Sequence, residues 1–309
     1  VGTFESILYV TDKVGDQTTA LSRAVGVAER NGAALTVLGV IPSSAGASAG
    51  GDLGTHLAAL EADVAGFRSR LHIQVKVAAG ALFVEAIRAV LRDGHDLVMK
   101  AAENPSFLKS LFGSTDMHLL HKCPCPLWLM KLPAQASYED IIAAVDFDPD
   151  DLSPTVQGLN HAILELAGSI AMNEDATLHL VHAWEAYAEL SMRVVSDVPD
   201  ERIAAHLQTQ QIRHESGLNA LGEALKEVLG AEGYVHVSPR FHLLKGSPRK
   251  VIAELAAELP ADLVVMGTVA RTGVPGLIIG NTAQIILNQL SCSVLAIKPP
   301  GFQTPVRLD

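Results

Sequence analysis

Short apolar runs closed by an aspartate recur along the chain, separated by stretches whose apolar positions follow a helical period. The first run is Ser6-Ile7-Leu8-Tyr9-Val10-Thr11-Asp12, and Asp140-Ile141-Ile142-Ala143-Ala144-Val145-Asp146 repeats its form. Each reads as a parallel strand buried on both faces and ending at a functional loop. A second pair follows, Asp96-Leu97-Val98-Met99-Lys100 and Asp262-Leu263-Val264-Val265-Met266-Gly267. A third pair closes each half: Cys125-Pro126-Leu127-Trp128-Leu129-Met130-Lys131 and Cys292-Ser293-Val294-Leu295-Ala296-Ile297-Lys298. Three landmarks in the same order, twice, indicate duplication of a whole domain. Their spacing far exceeds the roughly 20–50 residues of a solenoid repeat.

Between these landmarks the pattern predicts strict alternation of strand and helix. In the first half strands are expected near 6–11, 34–41, 72–78, 96–101 and 126–131, with helices near 17–31, 55–70, 82–93 and 114–122. In the second half strands are expected near 140–146, 176–183, 235–243, 262–266 and 293–298, with helices near 153–172, 200–230, 248–259 and 281–290. Such alternation implies βαβ crossovers and a parallel sheet covered by helices on both faces. The fold class is therefore α/β, two tandem copies of a five-stranded, Rossmann-like domain. The first spans 1–133, the second 138–309, and Pro133 to Ser137 reads as a short linker. The helix expected at 200–230 is the main asymmetry. It is either a long solvent-edge helix or a cover for a ligand or partner.

Composition narrows the function. Hydrophobic residues make up 49% and charged residues 18% of the 309 positions, a balance that suits sheets buried on both faces. No apolar run reaches the roughly 18–20 residues of a membrane span, and no membrane partner is expected. The start, VGTFESILYVTDK, does not read as a signal peptide. Three cysteines, Cys123, Cys125 and Cys292, argue against a disulfide framework and lead us to expect a cytoplasmic location. The formal charge of -11 disfavours nucleic acid and acidic partners.

Ligands of open parallel sheets bind beyond the carboxyl ends of the strands, which directs attention to the loops after strands one and four. In the second half that loop runs from Met266 and Gly267 through Arg271, Thr272 and Gly273 to Gly280-Asn281-Thr282, which opens a helix. Glycines let backbone amides approach an anion, and a helix N-terminus favours phosphate. Arg271 is the one cation of the loop. The same residues also serve as plain turn chemistry with an N-cap. In the first half the loop runs from Ala101 and Ala102 to Gly113-Ser114, and Glu103 brings a negative charge where a polyphosphate would lie.

Other motifs carry less. Gly46-Ala47-Ser48-Ala49-Gly50 has the spacing of a nucleophile elbow but sits among loop residues rather than between strand and helix. His118, His121, Cys123 and Cys125 fit no common zinc spacing, so no metal is expected, and Cys123 and Cys125 leave a redox role open. Asp12 and Asp146 close the first strands of the two halves and suit either ribose recognition or a structural role.

The stretch from Asp262 to Lys298, with Gly267 and Gly280-Asn281-Thr282, resembles the universal stress protein family, whose nucleotide-binding members carry Gly-x2-Gly-x9-Gly-[Ser/Thr]. The Lys245-Gly246-Ser247-Pro248 turn, the Ile297-Lys298-Pro299 ending and the His121-Lys122-Cys123-Pro124-Cys125-Pro126 segment extend the resemblance over nearly the whole chain, most closely to tandem members of the E type. The resemblance implies a cytoplasmic stress-response protein, pairing of the two domains through their last strands as an intrachain pseudo-dimer, and the adenine-nucleotide cleft that some members carry. It places Asp146 against ribose or adenine and Ala144 against the base. It also puts Gly267 beside the phosphates, with Gly280, Asn281 and Thr282 cradling them, and Met266, Arg271 and Thr272 among the binding residues. Ala270 stands where the second glycine belongs, and Asn281 replaces Ser or Thr. The implied cofactor is ATP with Mg.

Three functions follow as expectations. The leading one is a non-enzymatic regulator that binds a small ligand and acts through protein partners. The second is an ATP switch with slow hydrolysis. The third is a carrier of an apolar or lipid-like ligand between the domains. No catalytic residues are expected, since no nucleophile is paired with a base. Two domains in one chain suffice alone or form a homodimer.

Overall fold

The computed structural model describes residues 3–13, 18–42, 49–103, 114–151, 153–186, 199–268 and 280–308, with the backbone alone at 49–52. In chain order the first half comprises β1 (Ser6–Thr11), α1 (Thr18–Asn31), β2 (Ala34–Ile41), α2 (Ala49–Ala65), β3 (Ile73–Ala79), α3 (Leu82–Asp93), β4 (Leu97–Ala101), α4 (Ser114–Lys122) and β5 (Leu127–Met130). The second comprises β6 (Asp140–Val145), α5 (Pro154–Glu174), β7 (Thr177–Trp184), α6 (Asp200–Val237), β8 (Arg240–Lys245), α7 (Pro248–Glu258), β9 (Leu263–Gly267), α8 (Asn281–Gln289) and β10 (Ser293–Ile297).

These elements form two compact units, one of Val1–Tyr138 with Thr268–Asp309, the other of Glu139–Gly267. In the first unit the strands lie in the order β3-β2-β1-β4-β5, paired in parallel, with β10 antiparallel beside β5 and Val294 opposite Leu129. The last strands of the two repeats are thus hydrogen-bonded to each other. In the second unit the order is β9-β6-β7-β8, again parallel, with Ala144 level with Met266.

The central strands are apolar along their whole length because both faces are covered. In β1 and β6 every residue after the first is buried, and β4, β5 and β10 are buried throughout. Helix α3 illustrates how pattern becomes packing: Leu82, Ala86, Ile87, Ala89 and Val90 form its buried stripe. Gly94, at φ 73°, ends it and returns its N–H to the Val90 carbonyl. Helix α5 begins with Pro154 in its first turn, where the missing N–H costs nothing.

The aspartates that precede β4 and β9 act alike in the two repeats. Asp96 accepts the N–H groups of Glu5 (2.7 Å) and Ser6 (3.1 Å), and Asp262 accepts those of Glu139 (2.6 Å) and Asp140 (3.2 Å). Each carboxylate thereby fixes the start of the neighbouring central strand, which accounts for the recurrence of the landmark.

Two boundaries differ from the sequence expectation. Residues 235–237, read as the start of a strand, belong to α6, and β8 begins at Arg240. The long helix breaks at Gly230 (φ 70°, ψ 169°), resumes, and buries Val237, so β-branched valines that suit a strand are used here in a helix. Helix α2 starts at Ala49 rather than 55 and ends at Ala65. Of the elbow-like motif, Ala49 and Gly50 lie in that helix and Gly46 to Ser48 lie outside the described residues. No helix among the described residues is long and apolar enough to cross a membrane.

The segment after β5 is held by a buried arginine. Arg23 of α1, 2% exposed, donates from Nη1 to the Ala136 carbonyl (2.9 Å), and its guanidinium lies 3.9 Å from the centre of the Tyr138 ring. The Tyr138 hydroxyl in turn donates to Ser293 Oγ at 3.0 Å. A desolvated cation over an aromatic face contributes about 2 kcal/mol. We expect Arg23→Leu to lower stability by about that amount, read as a fall in the urea midpoint at unchanged slope.

Candidate functional site

The candidate residues divide between the two units. In the second unit Ala144 and Met266 face each other in register on β6 and β9, both buried, with Gly267 ending β9 and Asp146 following β6. In the first unit Gly280 caps α8, and Asn281 and Thr282 form its first turn. Arg271 and Thr272 lie outside the described residues. The loop that carries them is closed at its base, since Gly280 N–H donates to the Thr268 carbonyl at 3.0 Å. Thr268 is itself fully buried, and its N–H donates to the Ile297 carbonyl.

Gly267 has a packing reason of its own. A Cβ there would meet Leu159 Cδ2 of α5 at 2.6 Å, so the helix approaches the strand end closely only because the residue is glycine. Beside it, Asn160 fastens the end of β6. Its Oδ1 accepts Asp146 N–H (3.1 Å) and its Nδ2 donates to the Asp146 carbonyl (2.9 Å), while the Asp146 side chain stands exposed.

The same rim carries a stack of rings that sequence reasoning missed. Phe147 lies 3.8 Å from the His182 ring centre at an interplanar angle of 19°. His214 of α6 stacks on Trp184 (5.2 Å, 22°) and on His182 (5.1 Å, 25°). His182 Nδ1 faces the Val145 carbonyl at 3.4 Å, and its Nε2 shares a hydrogen bond with His214 Nδ1 at 3.0 Å. On the same helix Gly217 admits the Phe147 ring, since a Cβ would come within 2.3 Å of it, and Arg213 pairs with Asp150. Helix α6 is therefore fastened across the carboxyl ends of β6 and β7. The available signal was two histidines inside the otherwise apolar strand Thr177-Leu178-His179-Leu180-Val181-His182-Ala183-Trp184.

The first repeat is built differently at its loop after strand four. Lys100, 3% exposed, donates to Asp116 Oδ1 at 2.8 Å and to the Ala101 carbonyl at 3.0 Å. The other carboxylate oxygen of Asp116 accepts Glu103 N–H at 2.7 Å. Asp116 is fully buried, and that burial pushes its carboxyl above the usual range, against the Lys100 ammonium and both hydrogen bonds. A carboxylate of the chain thus takes the backbone donor and the cation that an anion would use. Aligned through the landmarks, Lys100 corresponds to Met266 and Asp116 to Ala283. This repeat has a small hollow of about 40 Å³, partly open to solvent, beside β1 and β2, lined by residues including Tyr9, Thr11, Lys13, Leu60 and Asp63. Burial, reinforced by the Asp63 and Asp12 carboxylates, raises the Tyr9 phenol.

The universal stress protein family model matches residues 3–131 and again 137–298. The chain belongs to that family. Universal stress protein E of Escherichia coli K12 is 33% identical over 229 residues, covering 74% of this chain and 68% of that protein. The E protein of Photorhabdus laumondii is 27% identical over 98% of both chains. Among solved structures, a putative universal stress protein from Pseudomonas aeruginosa UCBPP-PA14 aligns with TM-score 0.71 and 25% identity over 96% of this chain and 94% of that one. The likeness to the tandem E type is therefore established over the full length, and the chain is a stress-response protein.

The two repeats of this universal stress protein set up an internal comparison. Lys100→Met alone leaves a buried carboxylate without its cation and is expected to cost about 3–5 kcal/mol. The double variant Lys100→Met with Asp116→Ala, which copies the second repeat at both positions, is expected to recover most of that loss in a urea titration. Equal instability of the single and double variants would show that the pair is not what the region depends on.

Proposed function

We propose that the protein is a non-enzymatic stress regulator that binds an adenine nucleotide, with Mg, through its second repeat, while the first repeat is kept closed. The contrast at the two aligned positions carries this reading. Where the first repeat spends a buried lysine and a carboxylate on each other, the second has Met266 and Ala283, neither of which competes for the loop's backbone donors. The hydrogen bond from Gly280 N–H to the Thr268 carbonyl holds together the two residues that flank the second loop. Free N–H groups at the start of α8 suit phosphate oxygens, and Arg271 adds positive charge from the loop. In this reading Gly280, Asn281 and Thr282 hold phosphate, Met266 and Gly267 line its approach, and Thr272 adds a hydroxyl. Asp146 accepts ribose hydroxyls beside Ala144. The ring stack of Phe147, His182, Trp184 and His214 offers a π surface near the same strand ends.

Binding rather than turnover is the reading these residues support, because they supply donors and surfaces without a nucleophile and a base to activate it. The bound state would then be passed on through protein partners.

Isothermal titration of ATP with Mg into the nucleotide-free full chain tests the proposal. The expected result is saturable binding near one site per chain, lost in Gly280→Arg, with no ADP formed on prolonged incubation. Absence of heat and of competition at millimolar ATP would remove the nucleotide from the reading. Steady ADP release abolished by the same variant would replace the regulator with a hydrolysing switch.

A further inference from the structure

The first unit contains a pair of thiols for which the nucleotide reading has no use. Cys123 follows α4, its N–H donating to the Leu119 carbonyl (2.8 Å), and Cys125 precedes Pro126, whose carbonyl accepts Val98 N–H as β5 opens. The two sulfurs are 3.7 Å apart across Pro124, already in contact. Cys123 is buried at 1% exposure, whereas Cys125 is half-buried. Close by is Lys298, whose ammonium donates to the Leu120 carbonyl and to Thr268 Oγ1 (2.8 Å) and lies 5.0 Å from the Phe302 ring centre. The third cysteine, Cys292, is buried elsewhere and is not part of the pair.

From this arrangement we infer that Cys123 and Cys125 form a reversible dithiol site that is oxidised by a hydroperoxide to an intrachain disulfide, with Cys123 as the attacking sulfur and Lys298 as its cation. The electrostatics agree with the geometry. The hydrogen bond from the Cys125 thiol, and beyond it the Lys298 ammonium, hold the Cys123 thiol below the usual cysteine range, against its burial. The Cys125 thiol is pushed well up, first by its bond to Cys123 and then by burial, and so stays protonated as the resolving partner. Burial lowers Lys298 to about 8, with Cys123 opposing the shift, so ammonium and thiolate support each other near neutral pH.

The chemistry balances in two steps. The Cys123 thiolate attacks one peroxide oxygen, the O–O bond breaks, and the leaving alkoxide or hydroxide takes up a proton, leaving a sulfenic acid. The Cys125 sulfur then attacks the Cys123 sulfur and gives up its proton, the S–O bond breaks, and water departs. In sum two thiols and one hydroperoxide become a disulfide, an alcohol or water, and water. The sulfurs close from 3.7 Å to about 2.05 Å. The new bond tightens the connection between α4 and β5, the strand that pairs with β10.

Hydrogen peroxide, the smallest hydroperoxide, is the probe, since Cys123 is almost wholly buried. The reduced full chain is treated with a small excess at pH 7.5, quenched with N-ethylmaleimide, and read by intact mass and peptide mapping. The expected product has lost two hydrogens and two maleimide adducts, carries its disulfide in the peptide containing 123 and 125, keeps Cys292 reduced, and reverts with dithiothreitol. Folded protein is expected to react about tenfold faster than the same chain in urea. Cys125→Ser should accumulate a dimedone-reactive sulfenic acid on Cys123, and Cys123→Ser should leave Cys125 reduced. Lys298→Met should slow the reaction several-fold. Should that variant fail to fold, a wild-type rate profile already rising well below the pH at which glutathione reacts serves in its place. Two free thiols after excess peroxide, a disulfide through Cys292 or between chains, or first oxidation at Cys125 would overturn the inference.

Discussion

A strand covered on both faces has no water to turn to, so every polar group placed on it must find a partner inside the protein or cost several kcal/mol. That constraint organises the features of this chain that are not simple packing. Lys100 on β4 is matched by Asp116 of α4. His179 on β7 is matched on both ring nitrogens, by Asp140 at 3.0 Å and by His242 at 2.9 Å, and burial together with the neighbouring His179 and Arg240 lowers the His242 imidazole. His182, three residues further along, is matched by a backbone carbonyl and by His214. Each pairing ties a strand to another element, so the polar residues of the core fix which neighbours a strand keeps.

Duplication has met this constraint in two ways. The aspartates before β4 and β9 bond the same strand starts in both repeats, and Ala102 and Thr268 donate alike to Met130 and Ile297. These are bonds of the scaffold and have been kept. At the loops the repeats have diverged: one neutralises its own donors with a buried ion pair, the other carries apolar side chains and glycines. A buried ion pair contributes little net stability compared with apolar residues of the same volume, but losing one partner is severe. Once Lys100 and Asp116 were both present, neither could change alone.

The long helix α6 shows how function and packing converge. Its apolar spacing alone permits a solvent-edge helix. Its side chains instead lock to the carboxyl ends of β6 and β7 through Arg213, His214 and Gly217, each against a different partner. Two of these contacts rely on what is absent or polar: a glycine that makes room for Phe147, and a histidine that shares a hydrogen bond with another. Neither contributes to a hydrophobic stripe, and this places them beyond the reach of periodicity.

The sequence by itself determined the alternating elements, the duplication, the family and the position of the loops after strands one and four. It could do so because apolar runs, helical periodicity and glycine-rich turns are local features, readable within a few residues of one another. The resumption of the helix after Gly230 and the helical use of Val235 to Val237 went unread, because valine suits a strand until tertiary packing chooses otherwise. Only the tertiary structure decided that Asp116 lies under Lys100 and Glu103, that Gly267 is small for the sake of Leu159, and that His182 meets His214. It also decided that Lys298 stands beside Cys123, 175 positions away in the chain. Such pairs join residues whose separation in sequence carries no period, and the requirement that satisfies them, a partner for each buried polar group, takes effect only once the chain has closed around it.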